Sequence, residues 1–198
     1  YHYKIQDFYD HRLNTTSAND ASNKQSRVNT GLIWDGGGKL GGELNFGWQW
    51  VNFDNDRDPA GAPYDNQNTW IAGTSIDYRA TVTTLLTLNI AREIRPTGAD
   101  KREYYDDTQV GINVTQDLPY KFSAKAGFIY SRNDYNTLND LGTEDRKDNN
   151  YNANIGVNYQ IQRWLNTGLA YRYMRQDSNS ISQSFTDHQV MLTVGAAY

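Results

Sequence analysis

Toward the end of the chain, apolar and polar positions alternate. Val190, Leu192, Val194, Ala196 and Tyr198 share one parity; Gln189, Met191, Thr193, Gly195 and Ala197 take the other. A period of two marks a strand with two unlike faces. The same alternation runs backward through the sequence. Leu165, Thr167, Leu169, Tyr171 and Tyr173 oppose Asn166, Gly168, Ala170, Arg172 and Met174, and Tyr151, Ala153, Ile155, Val157 and Tyr159 oppose Asn152, Asn154, Gly156, Asn158 and Gln160. It continues through 120–131, 108–115, 86–94, 70–79 and 40–50, and more briefly through 28–34 and 1–9. No segment carries the 3.6-residue stripe of an amphipathic helix. The pattern predicts ten strands, over residues 1–13, 26–34, 40–53, 69–78, 84–95, 104–116, 120–132, 149–160, 165–175 and 185–198.

The predicted connections alternate in length. Asp35–Lys39, Arg79–Thr83, Asp117–Pro119 and Ile161–Trp164 are short; Asn14–Gln25, Asp54–Asn68, Pro96–Glu103, Asn133–Asp148 and Gln176–Ser184 are long. All four prolines (Pro59, Pro63, Pro96, Pro119) fall in these connections, where a missing ladder donor does no harm. Gln109-Val-Gly-Ile-Asn-Val114 echoes Asn154-Ile-Gly-Val-Asn-Tyr159, as in a meander of similar hairpins.

A soluble β-sandwich or β-helix also alternates, so three further features decide the class. The strands are long enough for a tilted bilayer crossing and longer than soluble strands usually are. Short turns alternate with long loops, as in outer-membrane barrels. Aromatic residues gather at both strand ends: Trp34, Tyr78, Tyr120, Tyr159, Trp164 and Tyr198 near the short turns, and Trp50, Phe53, Tyr104, Tyr130, Tyr135, Tyr173 and Phe185 near the long loops. Two such girdles match two membrane interfaces. The expected fold is all-β: a single antiparallel up-and-down transmembrane β-barrel domain over 1–198, with about ten strands in this chain. Lipid cannot satisfy an open sheet edge, so closure is expected too, by these ten strands or as the C-terminal part of a larger barrel. Tyr1 already inside a patterned segment favours the larger barrel.

Composition then changes its meaning. Only 37% of residues are hydrophobic and mean hydropathy is −0.82, close to the range of chains that cannot bury a core, yet 13% are aromatic. Divided by parity, the same residues make an apolar band and a hydrated wall. No run of apolar residues is long enough for a transmembrane helix, no signal peptide is visible in this sequence, and a net charge of −4 leaves no footprint for nucleic acid. By parity the lumen receives Glu43, Asn45, Gln49, Asp77, Arg79, Glu93, Gln109, Asn113, Lys121, Lys125, Asn154, Asn158 and Arg172. Their mixed signs predict no strong ion selectivity. In a narrow barrel they would plug the interior, and in a wider one they would line a channel.

The terminal stretch Val190-Met-Leu-Thr-Val-Gly-Ala-Ala-Tyr198 resembles the assembly signal of bacterial outer-membrane proteins, with Val190, Leu192, Val194 and Tyr198 at the alternate positions. Tyr151-Asn-Ala-Asn-Ile-Gly-Val-Asn-Tyr159, Arg163-Trp-Leu-Asn-Thr-Gly-Leu-Ala-Tyr-Arg-Tyr173 and Arg175-Gln-Asp-Ser-Asn179 resemble the closing hairpins of the β-barrel porin 2 family. That resemblance covers most of the chain and is strongest from Tyr104 onward. It implies a Gram-negative outer-membrane porin associated with export of exopolysaccharide or capsule, or with passage of small hydrophilic solutes. It also implies long loops outside, a periplasmic C-terminus, and a chain longer than this one. The implied partners are outer-membrane lipid and lipopolysaccharide, the barrel assembly machinery, and polysaccharide-export or other envelope proteins.

Residues suited to catalysis or metal binding occur only in incomplete patterns. Asp187 and His188 lie at the outer end of the last strand, but neighbours on a strand point to opposite faces. Ser182 and Ser184 precede His188 without a supporting motif, and a hydrolase would need a Ser–His pair beside an orienting group. Asp54-Asn-Asp-Arg-Asp58 places carboxylates at alternate positions, as calcium loops do, yet Pro59 stands where a flexible glycine belongs and no glutamate follows. Gly36-Gly-Gly38 lacks the following helix and lysine of a phosphate cradle and reads as a turn. The expectation is a non-enzyme with no cofactor and no metal. The alternatives kept open are a structural sheath holding a partner such as an electron-transfer cytochrome and, third, a barrel-embedded hydrolase.

Overall fold

The computed structural model describes residues 2–10, 23–35, 37–53, 66–96, 102–137 and 145–196. They form ten antiparallel strands: β1 (His2–Asp10), β2 (Asn23–Asp35), β3 (Leu40–Phe53), β4 (Gln67–Arg79), β5 (Thr84–Pro96), β6 (Arg102–Leu118), β7 (Phe122–Thr137), β8 (Lys147–Gln162), β9 (Leu165–Ser178) and β10 (Phe185–Ala196). Each pairs with its sequence neighbours in one meandering sheet ordered β1 to β10. Nine of the ten have 12 residues or more. A tilted crossing needs about 9–11.

The register turns the alternation of single strands into continuous rows. Leu40, Tyr78, Leu86, Val114, Ala126, Ile155, Tyr171 and Val190 stand side by side from β3 to β10. One step along lies a row of opposite character: Gly41, Asp77, Thr87, Asn113, Gly127, Asn154, Arg172 and Gln189. A one-residue slip on any strand would exchange the two faces, so the pattern itself fixes the register. The apolar face is turned outward, with Val190, Leu192 and Val194 exposed by 73, 75 and 68%. A sheet-wide apolar surface exceeds the patches that soluble monomers expose and suits a hydrocarbon solvent. The fold is an up-and-down transmembrane β-barrel wall.

The strands outrun the sequence-based bounds at most ends, because the ladder extends past the apolar band into polar flanks. At one hairpin they start later than expected. Tyr120 and Lys121 have φ of 60° and 66° and form the turn between β6 and β7. Lys121 therefore does not face the lumen; it is exposed in that turn, and Tyr120 stands 88% exposed beside it. The short turns collect at one end, where Gly37 (φ 63°) donates its N–H to Asp35 Oδ1 at 3.2 Å. Among the described residues β1 pairs with β2 alone and β10 with β9 alone, so these ten strands do not close on themselves. Asp54–Asp58, Gly36, Tyr1 and Tyr198 lie outside the described residues.

Candidate functional site

The inward wall is built from alternate residues of every strand with described side chains, and its chemistry changes along the barrel axis. Its middle is dominated by asparagine set against glycine. The register opposes Asn29 to Gly47, Asn45 to Gly31 and Gly73, Asn89 to Gly111, Asn113 and Asn154 to Gly127, Asn158 to Gly168, and Asn166 to Gly195. A concave face has little room between neighbouring side chains. At Gly127 a Cβ would overlap Asn113 Oδ1 and come within 2.8 Å of Asn154 Nδ2; at Gly195 it would stand 2.7 Å from Asn166 Oδ1. The glycines let the amides lie along the wall instead of standing into the interior.

A cavity of about 420 Å³ opens on this stretch, lined by Glu43, Asn45, Ser75, Asn89, Gln109 and Asn113 among others. A second of about 320 Å³ adjoins it through Glu43 and Asn45 and reaches Arg27 and Glu93. Asn45 donates to the Glu43 carboxylate. Several inward polar atoms, including Asn45 Oδ1, Gln49 Oε1, Asn152 Oδ1 and Arg172 Nε, have no protein partner. These atoms are screened from solvent, and the surrounding side chains leave their hydrogen-bonding capacity unused.

Toward the long connections the wall becomes charged. Arg27 on β2 meets Glu93 on β5 at 3.4 Å, and Arg95 bridges Glu93 at 2.7 Å and Asp107 at 3.1 Å. Gln49, fully buried, donates to Gln25 at 3.2 Å. Tyr105 and Tyr135 pack with tilted rings, centroids 4.8 Å apart, and the Arg146 guanidinium lies 4.5 Å over the Tyr135 ring. Buried Asp148 grips Arg146 through Nε at 2.8 Å and also through Nη2. That hydrogen-bonded carboxylate raises the Arg146 pKa above its usual value. At the opposite mouth, Asp77 accepts the Thr87 hydroxyl at 2.6 Å and lines a cavity of about 290 Å³ with Glu43 and Arg79. Lys125 and Asn158 lie exposed at inward register positions, and Asn154 and Arg172 are half-buried there.

The outward wall carries the aromatic belts. Trp34, Trp50, Tyr78, Tyr130, Tyr159 and Tyr173 occupy outward register positions, and Trp164 lies exposed in the β8–β9 turn. Tyr159 stacks on Phe122 at 4.5 Å. Tyr135 belongs instead to the inward face, against Tyr105. His188 Nδ1 pairs with the Tyr171 hydroxyl at 2.7 Å on the outward face, while Asp187 faces in and accepts from Gln189 at 2.8 Å. Ser184 Oγ accepts the Ser178 N–H at 3.0 Å. Among the described residues no cluster of His, Cys, Asp or Glu is arranged to hold a metal.

Residue-by-residue reading missed the network at the charged end. Arg27 and Asp107 carry the inward parity of Asn29 and Gln109, which was the available signal, but each lies beyond the apolar stretch that drew attention to its strand.

The family model "Putative beta-barrel porin 2" matches residues 6–198. The chain belongs to that family. No curated protein matches this porin-family chain. Among solved structures it is similar to OmpTdeltaL8, the loop L8 deletion mutant of OmpT, an outer membrane protein of Vibrio cholerae, with a TM-score of 0.50 and 13% identity. The alignment covers 98% of this chain and 58% of that one, so this chain spans little more than half of that neighbour's length. At that identity the likeness is one of fold.

Proposed function

We propose that this porin-family barrel is a passive channel of the bacterial outer membrane, carrying hydrophilic solutes and foremost the saccharide chains of an exported polysaccharide. The observation that carries the reading is the asparagine–glycine wall. Uncharged amides laid flat against a barrel offer donors and acceptors that replace water around hydroxyl groups, and no single site holds the solute tightly. The charges at the long-connection mouth are paired Arg with Asp or Glu, which gives that mouth little net sign. The family membership supports the porin class, and the family resemblance supports an exported polysaccharide as the source of those saccharide chains. Long connections facing outward and a periplasmic C-terminus follow the usual plan of such barrels. Outer-membrane lipid, lipopolysaccharide and the barrel assembly machinery are then its surroundings and partners. A channel also suits Asp187 and His188, which point to opposite faces and have separate partners.

Planar-bilayer recording of the reconstituted protein tests the proposal. Expected are stable conductance steps that neutral oligosaccharides reduce in proportion to their concentration. A folded barrel that shows neither conductance nor oligosaccharide block would overturn it.

A further inference from the structure

One seam of the wall is closed differently from the rest. β3 stays paired with β4 out to Val51 and Gln67, and β5 stays paired with β6 out to Pro96 and Tyr104. Between them the β4–β5 ladder stops at Ala72 and Arg92. Gln67–Ile71 and Glu93–Pro96 run on toward the long-connection end without a shared register. Backbone groups released in a membrane wall are expensive unless something else meets them. Here side chains do. Gln49 of β3 reaches past β4, and its amide donates to the Ile94 carbonyl at 3.4 Å. On the outer side Arg92 lies 4.5 Å over the Trp70 ring and donates to Thr69 Oγ1 at 3.4 Å and to Asp106 at 3.2 Å. On the inner side Arg27 meets Glu93.

A second observation falls on the same spot. Val51, Ile71 and Ile94 are the buried apolar side chains among the described residues; Ile71 and Ile94 lie on the two strands of this seam, and Val51 of the neighbouring β3 packs against Ile94. Elsewhere the inward wall is mainly polar. The wall thus keeps a buried apolar cluster immediately behind the place where its ladder is open.

We infer that the β4–β5 seam beyond Ala72 and Arg92 is a side-chain latch that opens sideways, and that it admits the acyl chain of a lipid from the surrounding bilayer to the apolar cluster of Val51 and Ile94. Continuity with the outward apolar band, through Trp70 and Ile90, supplies the path. Arg92, stacked and doubly hydrogen-bonded, holds the outer side shut. The inference depends on the lipid-facing assignment of the outer wall and not on what the lumen conducts. A ladder would open only with local unfolding, whereas a few side-chain contacts exchange at far smaller cost.

The chain contains no cysteine, which makes the test clean. Photoreactive benzoylphenylalanine placed at Ile94, in the full chain reconstituted in phosphatidylethanolamine–phosphatidylglycerol vesicles, should form lipid adducts several-fold more often than the same probe at Asn113. An oxidised Ile71→Cys/Glu93→Cys pair should suppress the adduct and reduction should restore it. A Ser75→Cys/Asn89→Cys pair in the intact part of the seam should leave it unchanged. Arg92→Gln, which needs no bridge to form, should raise labelling at Ile94. Adduct at Ile94 no greater than at Asn113, or labelling indifferent to both the seam bridge and Arg92→Gln, would overturn the inference.

Discussion

Arg27 on β2 and Glu93 on β5 meet at 3.4 Å with two strands between them. A flat sheet would keep these side chains apart, so the contact records the inward curl of the wall. It also places a cation and an anion where a solute entering from the long-connection end would pass. Both side chains remain partly exposed, so the pair should contribute under about 1 kcal/mol to stability. Its effect on permeation should be larger. Arg27→Ala leaves the Glu93 and Asp107 carboxylates facing Arg95 alone. The zero-current potential across a KCl gradient should then move toward cation preference, and the Arg27→Glu/Glu93→Arg swap should bring it back. An unmoved potential in Arg27→Ala would separate this pair from the permeation path.

The opposition of asparagine and glycine yields two substitutions of opposite sign. A methyl group at Gly127 collides with two amides, whereas at Gly73 nothing stands within 4 Å of the added carbon. Gly127→Ala should cost about 1–3 kcal/mol. Gly73→Ala should be neutral or gain up to about 1 kcal/mol by restricting the unfolded chain. Urea unfolding from lipid vesicles measures both; equal effects would mean that the Asn113–Gly127–Asn154 packing is loose.

Charge on the two faces should also be unequal. Leu169→Arg, at an outward mid-strand position beside Val157 and Leu192, should destabilise by roughly 2–4 kcal/mol. Asn154→Arg on the inward row should cost less. Gly168, although inward, is a poor site for the comparison because its Cβ would overlap Asn158 Oδ1.

The β6–β7 turn offers a gain. Lys121 sits at φ 66° with no buried contacts, a conformation that costs an L-residue roughly 1–2 kcal/mol. Lys121→Gly should raise the unfolding midpoint, since it relieves that strain and removes no lumen charge. A lowered midpoint would show that the lysine side chain holds the turn.

The sequence made the strand count, the alternation of faces and the aromatic belts legible, because each depends on periodicity within a single strand. Tyr171 and Arg172 could be sent to opposite faces from their neighbours alone. What stayed hidden depends on relations between strands. Nothing around Gly127 says that it lies between Asn113 and Asn154; only the register does. The parity of Ile94 is outward, yet it is buried at 2%, because β5 leaves the β4 ladder two residues earlier. Lys121 continues the alternation of β7 in sequence, but Pro119 ahead of it begins a turn that consumes two left-handed residues. Tyr135 looked like another belt aromatic and proved to face Tyr105.

The central claim is that adjacent rows of this wall face lipid and water. Single cysteines introduced into the cysteine-free chain at Ile155, Leu169 and Leu192, and at Asn154, Gly156 and Gln189, test it most directly. In reconstituted vesicles, a water-soluble maleimide should label the second set and spare the first, while a lipid-phase quencher should dim a fluorophore attached to the first set alone. Equal labelling of both sets, or the reverse pattern, would contradict the two-faced barrel wall.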